Sequence, residues 1–398
     1  MSKDWILSER AQQMKSSVIR ELLKLTQNPE VISFAGGLPA EDFFPVEDIK
    51  EAAIKAIKEN GKKALQYGST EGYPALREFL SEFMTNKGVK TESNEILITT
   101  GSQQGLDLCG KVFLNDHDHV ITSKPTYLGA IQAFNAYFPE YHTLASDEGG
   151  MIVDGLEDLV KEHKPKFIYL VPTFQNPDGR TLSKERRQRI LDISIRYGVP
   201  VIEDDPYSLL TYTEPTPPPA MVTMAKEHVV YMSTFSKMVC PGFRLAWVVA
   251  PTQILDKFIK MKQGSDLHSS TLAQYILLEY LKTGKYKDHI ENIKNVYGER
   301  MQVMKECIAK YFPPEVKTSH PTGGMFFWVE LPKGMDTTKM FEKAVEKNVA
   351  YVPGSAFHPD GTGQNTMRLN FSKSDPDKIE DGMKRLSEVI KEELANLQ

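Results

Sequence analysis

The sequence predicts an α/β protein with a mostly parallel sheet in a large domain, followed by a smaller α+β domain. From about Glu95, short apolar or β-branched runs alternate with helix-like stretches, which is the pattern of βαβ crossovers. Several of these runs, such as FIYLVP and LAWVVAP, are apolar along their whole length, as strands buried on both faces are. The chain has 398 residues, more than one hydrophobic core usually holds, so a second domain is expected.

Six runs are predicted to be strands of the large sheet, and helix-like stretches such as residues 184–197 fill several of the gaps between them. The predicted strands are residues 96–100, 119–124, 166–173, 199–203, 229–235 and 245–251. Before the sheet come a helical segment from Ser8 to about Thr26, a Gly/Pro-rich stretch (FAGGLPAEDFFP) and a helix opened by Pro45 with acidic residues in its first turn.

After the sheet, residues 252–282 are predicted to be helical. The remainder carries the strand-like runs 325–331, 350–352 and 367–371 and an amphipathic helix from about Asp375, which predicts a smaller α+β domain. We therefore expect an N-terminal helical segment over residues 1–45, a large domain over 46–285 and a small α+β domain over 286–398.

Charge and composition favour a small-molecule substrate. Lys+Arg 48 and Asp+Glu 53 give a net charge of −5 with no block of like charge, so neither a nucleic-acid nor a membrane partner is expected. The N-terminus lacks the apolar core of a signal peptide, and no later run approaches the roughly 18 apolar residues of a membrane span. Cys109, Cys240 and Cys307 form no CxxC pair, which argues against disulfides and cysteine zinc sites. We expect a cytoplasmic protein.

A lysine follows one of the predicted buried strands, at the end of Ser-Thr-Phe-Ser-Lys. Burial lowers the pKa of a lysine and makes its amine a usable nucleophile toward carbonyls, which suits Lys237 to covalent chemistry. The hydroxyls of Thr234 and Ser236, with Arg244 seven residues after the lysine, have the chemistry to hold a phosphate. Taken alone, Lys237 also fits a surface lysine that closes a strand.

A second candidate phosphate site lies in ITTGSQQG, which passes from a strand through Gly101 into a helix. The free N–H groups and the dipole of such a helix start, here at Ser102 and Gln103, favour an anion. The pattern matches neither GxGxxG nor the Walker motif, and strand–Gly–helix turns are common. By itself it therefore predicts little.

Three carboxylates, Glu203, Asp204 and Asp205, end another buried strand, at the edge where open α/β sheets bind their ligands. Such acids can bind a divalent metal, act as acid and base, or hold a cationic ring nitrogen, and one of them is expected to cap a helix. The metal interpretation lacks further ligands. The His-Asp-His run at 117–119 precedes a strand in a polar turn without HExxH or cysteine partners, so no metal site is expected there either.

The order of these weak motifs is more informative than any one of them. A helix N-terminus for phosphate, then Tyr127, Asn176, Asp204, Lys237 and Arg244, follow successive predicted strands. Because the carboxyl ends of parallel strands meet at one edge of a sheet, these groups are expected to converge. A pyridoxal 5'-phosphate site requires such a set.

The chain resembles the fold-type I pyridoxal phosphate-dependent aminotransferases of class I/II, in particular the branch of 2-aminoadipate and kynurenine aminotransferases. The resemblance covers nearly the whole chain and rests on the motifs IRELLKL, SFAGGLP, LQYGSTEGYPALRE, ITTGSQQGLDL, QNPDGR, EDDPY, STFSK with PGFR, KQGSDLH, GGMFFWVELP and NTMRLNF. It implies a cofactor-binding large domain with a seven-stranded sheet flanked by helices, and an N-terminal segment near the small domain and the active-site entrance.

The resemblance also implies how the cofactor is held. Lys237 is the lysine that bonds to the cofactor and then carries the proton of the substrate α-carbon, and Asp204 pairs with the pyridine nitrogen. Tyr127 stacks on the ring, and Asn176 and Tyr207 hydrogen-bond its phenolic oxygen. The residues implied for the phosphate are Ser102, Gln103, Ser236, Arg244 and Tyr67, together with Thr234, which occupies a position often taken by serine.

Tyr67 resembles the tyrosine that reaches the phosphate of the neighbouring subunit, so the resemblance implies a homodimer with shared active sites. Arg368 matches the family's clamp for the substrate carboxylate, with Gly37 and Asn176 beside it, because a planar arginine binds a carboxylate bidentately. Arg20 matches an arginine that in the aminoadipate branch meets a distal carboxylate, although it also fits a solvated charge on an amphipathic helix. The branch accepts aromatic and aliphatic amino acids too.

These residues predict an aminotransferase that moves the α-amino group of an L-amino acid to 2-oxoglutarate by a ping-pong mechanism. The donors expected are 2-aminoadipate and aromatic or other hydrophobic amino acids. A lyase or decarboxylase on the same scaffold is one alternative, disfavoured because Arg368, EDDPY and STFSK occur together. A non-catalytic regulatory module is another, disfavoured by the charge and because the chain starts almost at the N-terminal helix, leaving no room for a helix-turn-helix domain.

Overall fold

The structure is a computed structural model that describes residues 5–14 and 30–397. Its helices, numbered in chain order over those residues, are α1 Glu9–Gln13, α2 Val46–Ala64, α3 Pro74–Asn86, α4 Ser102–Phe113, α5 Leu128–Asn135, α6 Leu156–His163, α7 Lys184–Tyr197, α8 Thr252–Asp266, α9 Thr271–Lys282, α10 Tyr286–Tyr311, α11 Thr337–Glu346 and α12 Pro376–Ala395. The strands are β1 Ile32–Ser33, β2 Ile96–Thr99, β3 His119–Lys124, β4 Glu140–Asp147, β5 Gly150–Met151, β6 Phe167–Leu170, β7 Val201–Asp204, β8 Val229–Thr234, β9 Ala246–Val249, β10 Lys317–Thr318, β11 Phe326–Glu330, β12 Val349–Ala350, β13 Val352–Pro353 and β14 Thr366–Asn370.

The large sheet has the strand order β2-β9-β8-β7-β6-β3-β4-β5 in the described part of the chain. Strands β8, β7, β6, β3 and β4 are parallel neighbours, and β9 runs antiparallel to both β2 and β8. The expected sheet had seven strands, and the eighth, β5, is a two-residue strand that pairs with the end of β4 across a tight turn. The predicted α/β class with a mostly parallel sheet is confirmed.

All six predicted strands are present, but β4 was missed. Its sequence, EYHTLASD, mixes polar and apolar residues, and most of its side chains are partly or fully exposed. The strand lies near the edge of the sheet, where only the short β5 covers its outer side. A half-exposed strand does not show the continuous apolarity of a central parallel strand, which was the pattern used for the prediction.

The central strands are buried on both faces by two separate apolar layers. In β6, Phe167 and Tyr169 pack into one layer, and Ile168 and Leu170 pack into the other. The alternation follows from the strand geometry, in which successive side chains point to opposite faces. Helices therefore cover both sides of the sheet and leave its carboxyl edge as the place for a ligand.

Local sequence signals explain several helix ends. Ser183 caps α7 by accepting the N–H of Arg186, and Gly198 ends that helix in a left-handed conformation. The region 252–282 is predicted to be helical throughout, but it forms two helices, α8 and α9. The break begins at Leu267, whose φ is +65°, and Ser270 caps the second helix by accepting the N–H of Ala273.

The C-terminal part builds a second sheet with the antiparallel order β10-β11-β14-β13. The predicted strand at 350–352 is divided in the structure, since β12 pairs with β1 from the N-terminal part of the chain and β13 pairs with β14. The predicted terminal helix is α12, which Asp375 caps by accepting the N–H of Lys378. None of the helices within the described ranges combines the length and apolarity that crossing a membrane requires.

Candidate active site

A cavity of about 330 Å³ opens at the carboxyl ends of the parallel strands. Twelve of the fourteen predicted site residues line it, namely Gly37, Ser102, Gln103, Tyr127, Asn176, Asp204, Tyr207, Thr234, Ser236, Lys237, Arg244 and Arg368. The other lining residues are Leu38, Val171, Pro206 and Pro241. Sequence reasoning missed these four because apolar and proline side chains carry no chemical signal.

Lys237 lies three residues beyond the end of β8, and its amine points into the cavity. Its Nζ donates a hydrogen bond of 2.7 Å to the carbonyl oxygen of Gly37. Burial lowers the pKa of Lys237 to about 8, and the nearby guanidinium groups of Arg368 and Arg244 act in the same direction. A substantial fraction of this amine is therefore neutral near pH 8, which is the nucleophilic form.

Asp204 ends β7 with its side chain at the cavity wall. Its Oδ2 accepts a hydrogen bond of 3.0 Å from the hydroxyl of Tyr169, and its Oδ1 is buried with no hydrogen-bond partner among the described residues. Burial raises the pKa of Asp204 to about 7. A buried, half-satisfied carboxylate is stabilised by a cationic donor placed against its free oxygen.

The other two acids of the run serve the fold. Glu203 points to the opposite face and accepts the backbone N–H groups of Met221 at 2.7 Å and Val222 at 2.8 Å, which caps a 3₁₀ turn. This confirms that one of the three acids is a cap. Asp205 accepts hydrogen bonds from Lys87 at 3.2 Å and, within the same network, from two hydroxyls. Burial acts to raise the pKa of Asp205, but Lys87 and those hydroxyls outweigh it and lower the pKa.

The start of α4 and Arg244 form a concave, donor-rich corner of the cavity. Gly101, the N-cap of α4, provides no side-chain cap and has a φ of +77°, a conformation that favours glycine. A Cβ at this position would also push the guanidinium of Arg244 out of its present place next to the helix start. On the facing side, Thr234 donates a hydrogen bond of 3.0 Å to Ser236 Oγ. The uncapped helix start, the arginine and the hydroxyls suit a phosphate.

Arg368 lies on β14 and is buried at the side of the cavity that faces the second sheet. Its Nη1 donates to Asn176 Oδ1 at 2.8 Å and its Nη2 donates to the carbonyl oxygen of Ala35 at 2.6 Å. Its Nε has no hydrogen-bond partner within residues 5–14 and 30–397, and no carboxylate there is among the groups that shift its pKa. Burial lowers the pKa of Arg368 to about 10. The guanidinium lies 4.4 Å from the ring centre of Phe326, which orients its plane.

Two tyrosines complete the walls of the cavity. Tyr127, the N-cap residue of α5, has its pKa raised to about 12 by burial and by Asp204. Burial also raises the pKa of Tyr207, and the hydroxyl interacts with the side chain of Asn176. Both phenols are therefore neutral at physiological pH and act as hydrogen-bond donors and apolar surfaces. Gln103, beside Tyr127, donates to the carbonyl oxygen of Gly129 at 3.0 Å.

Two predicted site residues do not line the cavity. The side chain of Tyr67 is 79% exposed and packs edge-on against His268, with 5.8 Å between ring centres. Arg20 lies outside the described residues, so its predicted contact with substrate stays a sequence-based expectation.

Tyr169, whose hydroxyl donates to Asp204, is a functional candidate that the sequence did not predict. Its motif FIYL is the same as that of an ordinary buried strand.

The donor set fits pyridoxal phosphate. The unpartnered Oδ1 of Asp204 suits a protonated ring nitrogen, the amine of Lys237 suits the aldehyde carbon, and the corner at Gly101 suits the phosphate. These three features occupy one cavity. Their chemistry therefore matches the three functional groups of that cofactor.

Comparisons with known proteins agree with this chemistry. The family model for aminotransferase class I and II matches residues 29–386. A 2-aminoadipate transaminase from Thermus thermophilus is 44% identical over 97% of this chain and 96% of that protein. An aromatic-amino-acid aminotransferase from Thermococcus litoralis is 43% identical over 97% of this chain and 94% of that protein.

A solved structure supports the same relationship. An α-aminoadipate aminotransferase from Thermus thermophilus, complexed with N-(5'-phosphopyridoxyl)-L-leucine, matches with a TM-score of 0.91 and 41% identity over 98% of both chains. Its ligand joins an amino acid to the phosphopyridoxyl group of the cofactor. The chain therefore belongs to the aminotransferase class I and II family, with the fold-type I architecture, and is a pyridoxal phosphate-dependent transaminase.

Proposed function

We propose that this transaminase moves the α-amino group of 2-aminoadipate and of aromatic or other hydrophobic L-amino acids to 2-oxoglutarate by a ping-pong mechanism. The observation that carries the proposal is the buried guanidinium of Arg368, which faces the same cavity as the amine of Lys237 and whose Nε has no hydrogen-bond partner in the described ranges. Every α-amino acid and 2-oxo acid has a carboxylate next to its reacting carbon. A single clamp therefore serves both half-reactions.

The cofactor, when bound, supplies an aldehyde carbon and a ring that accepts electrons from the substrate α-carbon. In our proposal, Asp204 Oδ1 accepts the hydrogen bond of the protonated ring nitrogen. The hydroxyl of Tyr169 holds the other carboxylate oxygen, so the carboxylate cannot rotate away. The pairing keeps a proton on the ring nitrogen because the negative charge of Asp204 stabilises it.

The proton of the substrate α-carbon is assigned to Lys237. Its Nζ, with a pKa lowered to about 8, can accept a proton and return it near neutral pH without a large energetic barrier. The carbonyl oxygen of Gly37 accepts one of its hydrogen bonds and so fixes the direction of the amine. Two positive neighbours, Arg368 and Arg244, disfavour the protonated form and keep the amine available as a base.

The remaining residues are proposed to orient the reactants. Arg368 binds the α-carboxylate, and Asn176, which accepts from the same guanidinium, holds that side chain in position. The phosphate is held by Ser102 and Gln103 at the start of α4, by Ser236 and Thr234, and by Arg244. Tyr127 covers the ring, and Tyr207 with Asn176 donates to its phenolic oxygen.

The substrate range is supported by the names of the relatives. One is a 2-aminoadipate transaminase, another is an aromatic-amino-acid aminotransferase, and the structure in complex with a leucine adduct belongs to an α-aminoadipate aminotransferase. We propose that Arg20 meets a distal carboxylate when the substrate carries one. Aromatic and aliphatic side chains then bind without that contact.

We also propose a cytoplasmic homodimer in which Tyr67 reaches the cofactor phosphate of the neighbouring subunit. The exposure of its ring in the single chain is consistent with this role, since a large aromatic side chain at the surface is often buried by a partner. The reach of Tyr67 makes each active site dependent on both subunits.

We further propose that the chain is divided into an N-terminal segment over residues 1–45, a large cofactor-binding domain over 46–285 and a small domain over 286–398.

The test is steady-state turnover of the purified holoenzyme with single L-amino acids and 2-oxoglutarate. The proposal predicts one glutamate formed for each 2-oxo acid formed from the donor, and parallel lines in double-reciprocal plots because the mechanism is ping-pong. A lyase would release ammonia and a decarboxylase would release CO₂, in either case without glutamate. Such products as the main outcome would refute the proposal.

A further inference from the structure

Three histidines that are far apart in the sequence meet at the amino ends of the strands, on the opposite edge of the sheet from the cavity. His119 is the first residue of β3, His142 lies on the neighbouring parallel strand β4, and His163 is the last residue of α6. The register pairs His119 with Glu140, so His142 is two residues further along β4 and points to the same face. One ring nitrogen of each histidine lies within 4.8 Å of the other two.

The three imidazoles, called here the histidine cluster, are in direct contact. His142 Nε2 lies 3.0 Å from His119 Nδ1, and the rings of His142 and His163 are stacked with 3.6 Å between their centres. Three nitrogen ligands of a tetrahedral zinc ion at about 2.0 to 2.1 Å lie about 3.3 Å from one another. The nitrogens are therefore close to the separation that one zinc ion requires, and binding would replace the His142–His119 hydrogen bond and rotate the stacked rings of His142 and His163 so that their lone pairs converge.

The charged groups around the cluster favour a cation. Two carboxylates flank the cluster: Glu140 lies 3.6 Å from His119 Nδ1, and Glu162 lies 3.8 Å from His163 Nε2. The last turn of α6 also presents the negative end of its dipole near His163.

We propose that the histidine cluster binds one divalent transition-metal ion, with zinc as the expected type. Imidazole ligands suit zinc, cobalt, nickel and copper, and three protein ligands leave a fourth position for water. The side chains of His119 and His163 are 30% and 24% exposed, so an ion can reach them from solvent. The His-Asp-His run at 117–119 did not predict a metal site, because only His119 of that run belongs to the cluster and the other two ligands, His142 and His163, come from β4 and α6.

The bound ion stabilises the fold and takes no part in transamination. The five residue steps from His119 to the end of β3 span roughly 16 Å, and Tyr127 lines the cavity only beyond that end. An ion at the histidine cluster therefore does not touch the reactants. It crosslinks β3, β4 and α6, which are otherwise joined by backbone hydrogen bonds and packing.

The experiment uses the holoenzyme, freed of adventitious metal with a chelator and then titrated with Co²⁺ and with Zn²⁺. We expect one Co²⁺ per chain, with the intense visible absorption of low-coordinate cobalt, displaced stoichiometrically by Zn²⁺. Zn²⁺ should raise the thermal midpoint of unfolding. If the parent protein gives the weak spectrum of octahedral cobalt, or binds the metal only at millimolar concentration, the proposal is overturned.

Variants identify the ligands. His142→Gln and His163→Gln should each weaken Zn²⁺ binding at least tenfold while the transaminase turnover of the metal-free holoenzyme stays that of the parent. The matched control is His117→Gln, because His117 is 74% exposed in the same turn region and lies beside Glu140 but outside the cluster. Unchanged Zn²⁺ binding in His142→Gln, or an equal loss in His117→Gln, would contradict the three-histidine assignment.

Discussion

The hydroxyl of Tyr169 holds one oxygen of Asp204 at 3.0 Å, and the other oxygen of the same carboxylate has no partner among the residues described. The two residues lie on the neighbouring parallel strands β6 and β7, so the sheet itself fixes their separation. The protein thus orients a buried carboxylate with one donor and leaves its second oxygen facing the cavity. This arrangement is what a ligand with a cationic ring nitrogen requires.

Tyr169→Phe is predicted to lower kcat about 10- to 100-fold, because a hydrogen bond to a charged group contributes about 1.5–3 kcal/mol. Loss of the donor raises the pKa of Asp204 further and weakens its pairing with the cofactor ring. The measurements are kcat and the affinity for the cofactor. Tyr231→Phe is the matched control, since it removes a hydroxyl from the neighbouring buried acid Asp205, which does not line the cavity. An equal fall of kcat in both variants would show a general loss of stability instead.

Lys237→Ala is predicted to abolish turnover and the absorption band of the lysine-bound cofactor. The variant should still bind pyridoxal phosphate through the α4 corner and Asp204, because those contacts do not use the amine. Absorption spectra after removal of free cofactor check both statements. Normal transamination by Lys237→Ala would disprove the assignment of the site.

The pH dependence of cofactor binding should report the lowered pKa of Lys237. Below pH 8 the amine is mostly protonated and cannot attack the aldehyde, and above it the amine is neutral. The rate at which the cofactor-free protein recovers its absorption band should therefore rise with pH and level off just above about 8. A rate that keeps rising to about 10.4, where an ordinary lysine titrates, would contradict the buried environment of the amine.

Arg368→Lys is predicted to raise KM for every amino acid and 2-oxo acid by about 10-fold or more, since lysine keeps the charge but loses the bidentate contact, and a hydrogen bond to a charged group contributes about 1.5–3 kcal/mol. The loss should be uniform across substrates because all of them share the α-carboxylate. Arg300→Lys is the matched control. Arg300 is a buried arginine bonded to the carbonyl oxygen of Ser372 and does not line the cavity, so its loss should affect stability but not KM.

Arg20→Ala is predicted to weaken acidic donors selectively. KM for 2-aminoadipate and glutamate should rise about tenfold or more, corresponding to the loss of about 1.5–3 kcal/mol for a charged hydrogen bond, while aromatic donors keep their KM. Lys24→Ala, a change of another cation in the same motif IRELLKL, should spare both classes. An equal rise of KM for acidic and aromatic donors in Arg20→Ala would show that Arg20 has a structural role and does not determine specificity.

Residues at strand ends were predictable because of one geometric fact. The parallel strands of a doubly covered sheet end at the same edge, so Asp204 and Lys237 could be brought together from sequence order alone. The position of Arg368 on β14 could not be predicted from the order of the parallel strands. Arg368 reaches the cavity from the second sheet, and only the resemblance to a family identified it.

Other features were not predictable for physical reasons. Tyr169 has the sequence context of a core residue, and its role depends on which strand lies next to β6. The edge strand β4 escaped prediction because half-exposed strands do not have an apolar run. The histidine cluster depends on the same missed strand, since His142 lies on β4.

The most direct test of the central claim is a single half-reaction. Purified holoenzyme is mixed with L-amino acids in the absence of any 2-oxo acid, and the absorption band of the lysine-bound cofactor is followed in time. We predict rapid loss of the band, with one equivalent of 2-oxo acid formed per site, and its return on addition of 2-oxoglutarate. A band that persists while ammonia or CO₂ accumulates would contradict transamination at this site.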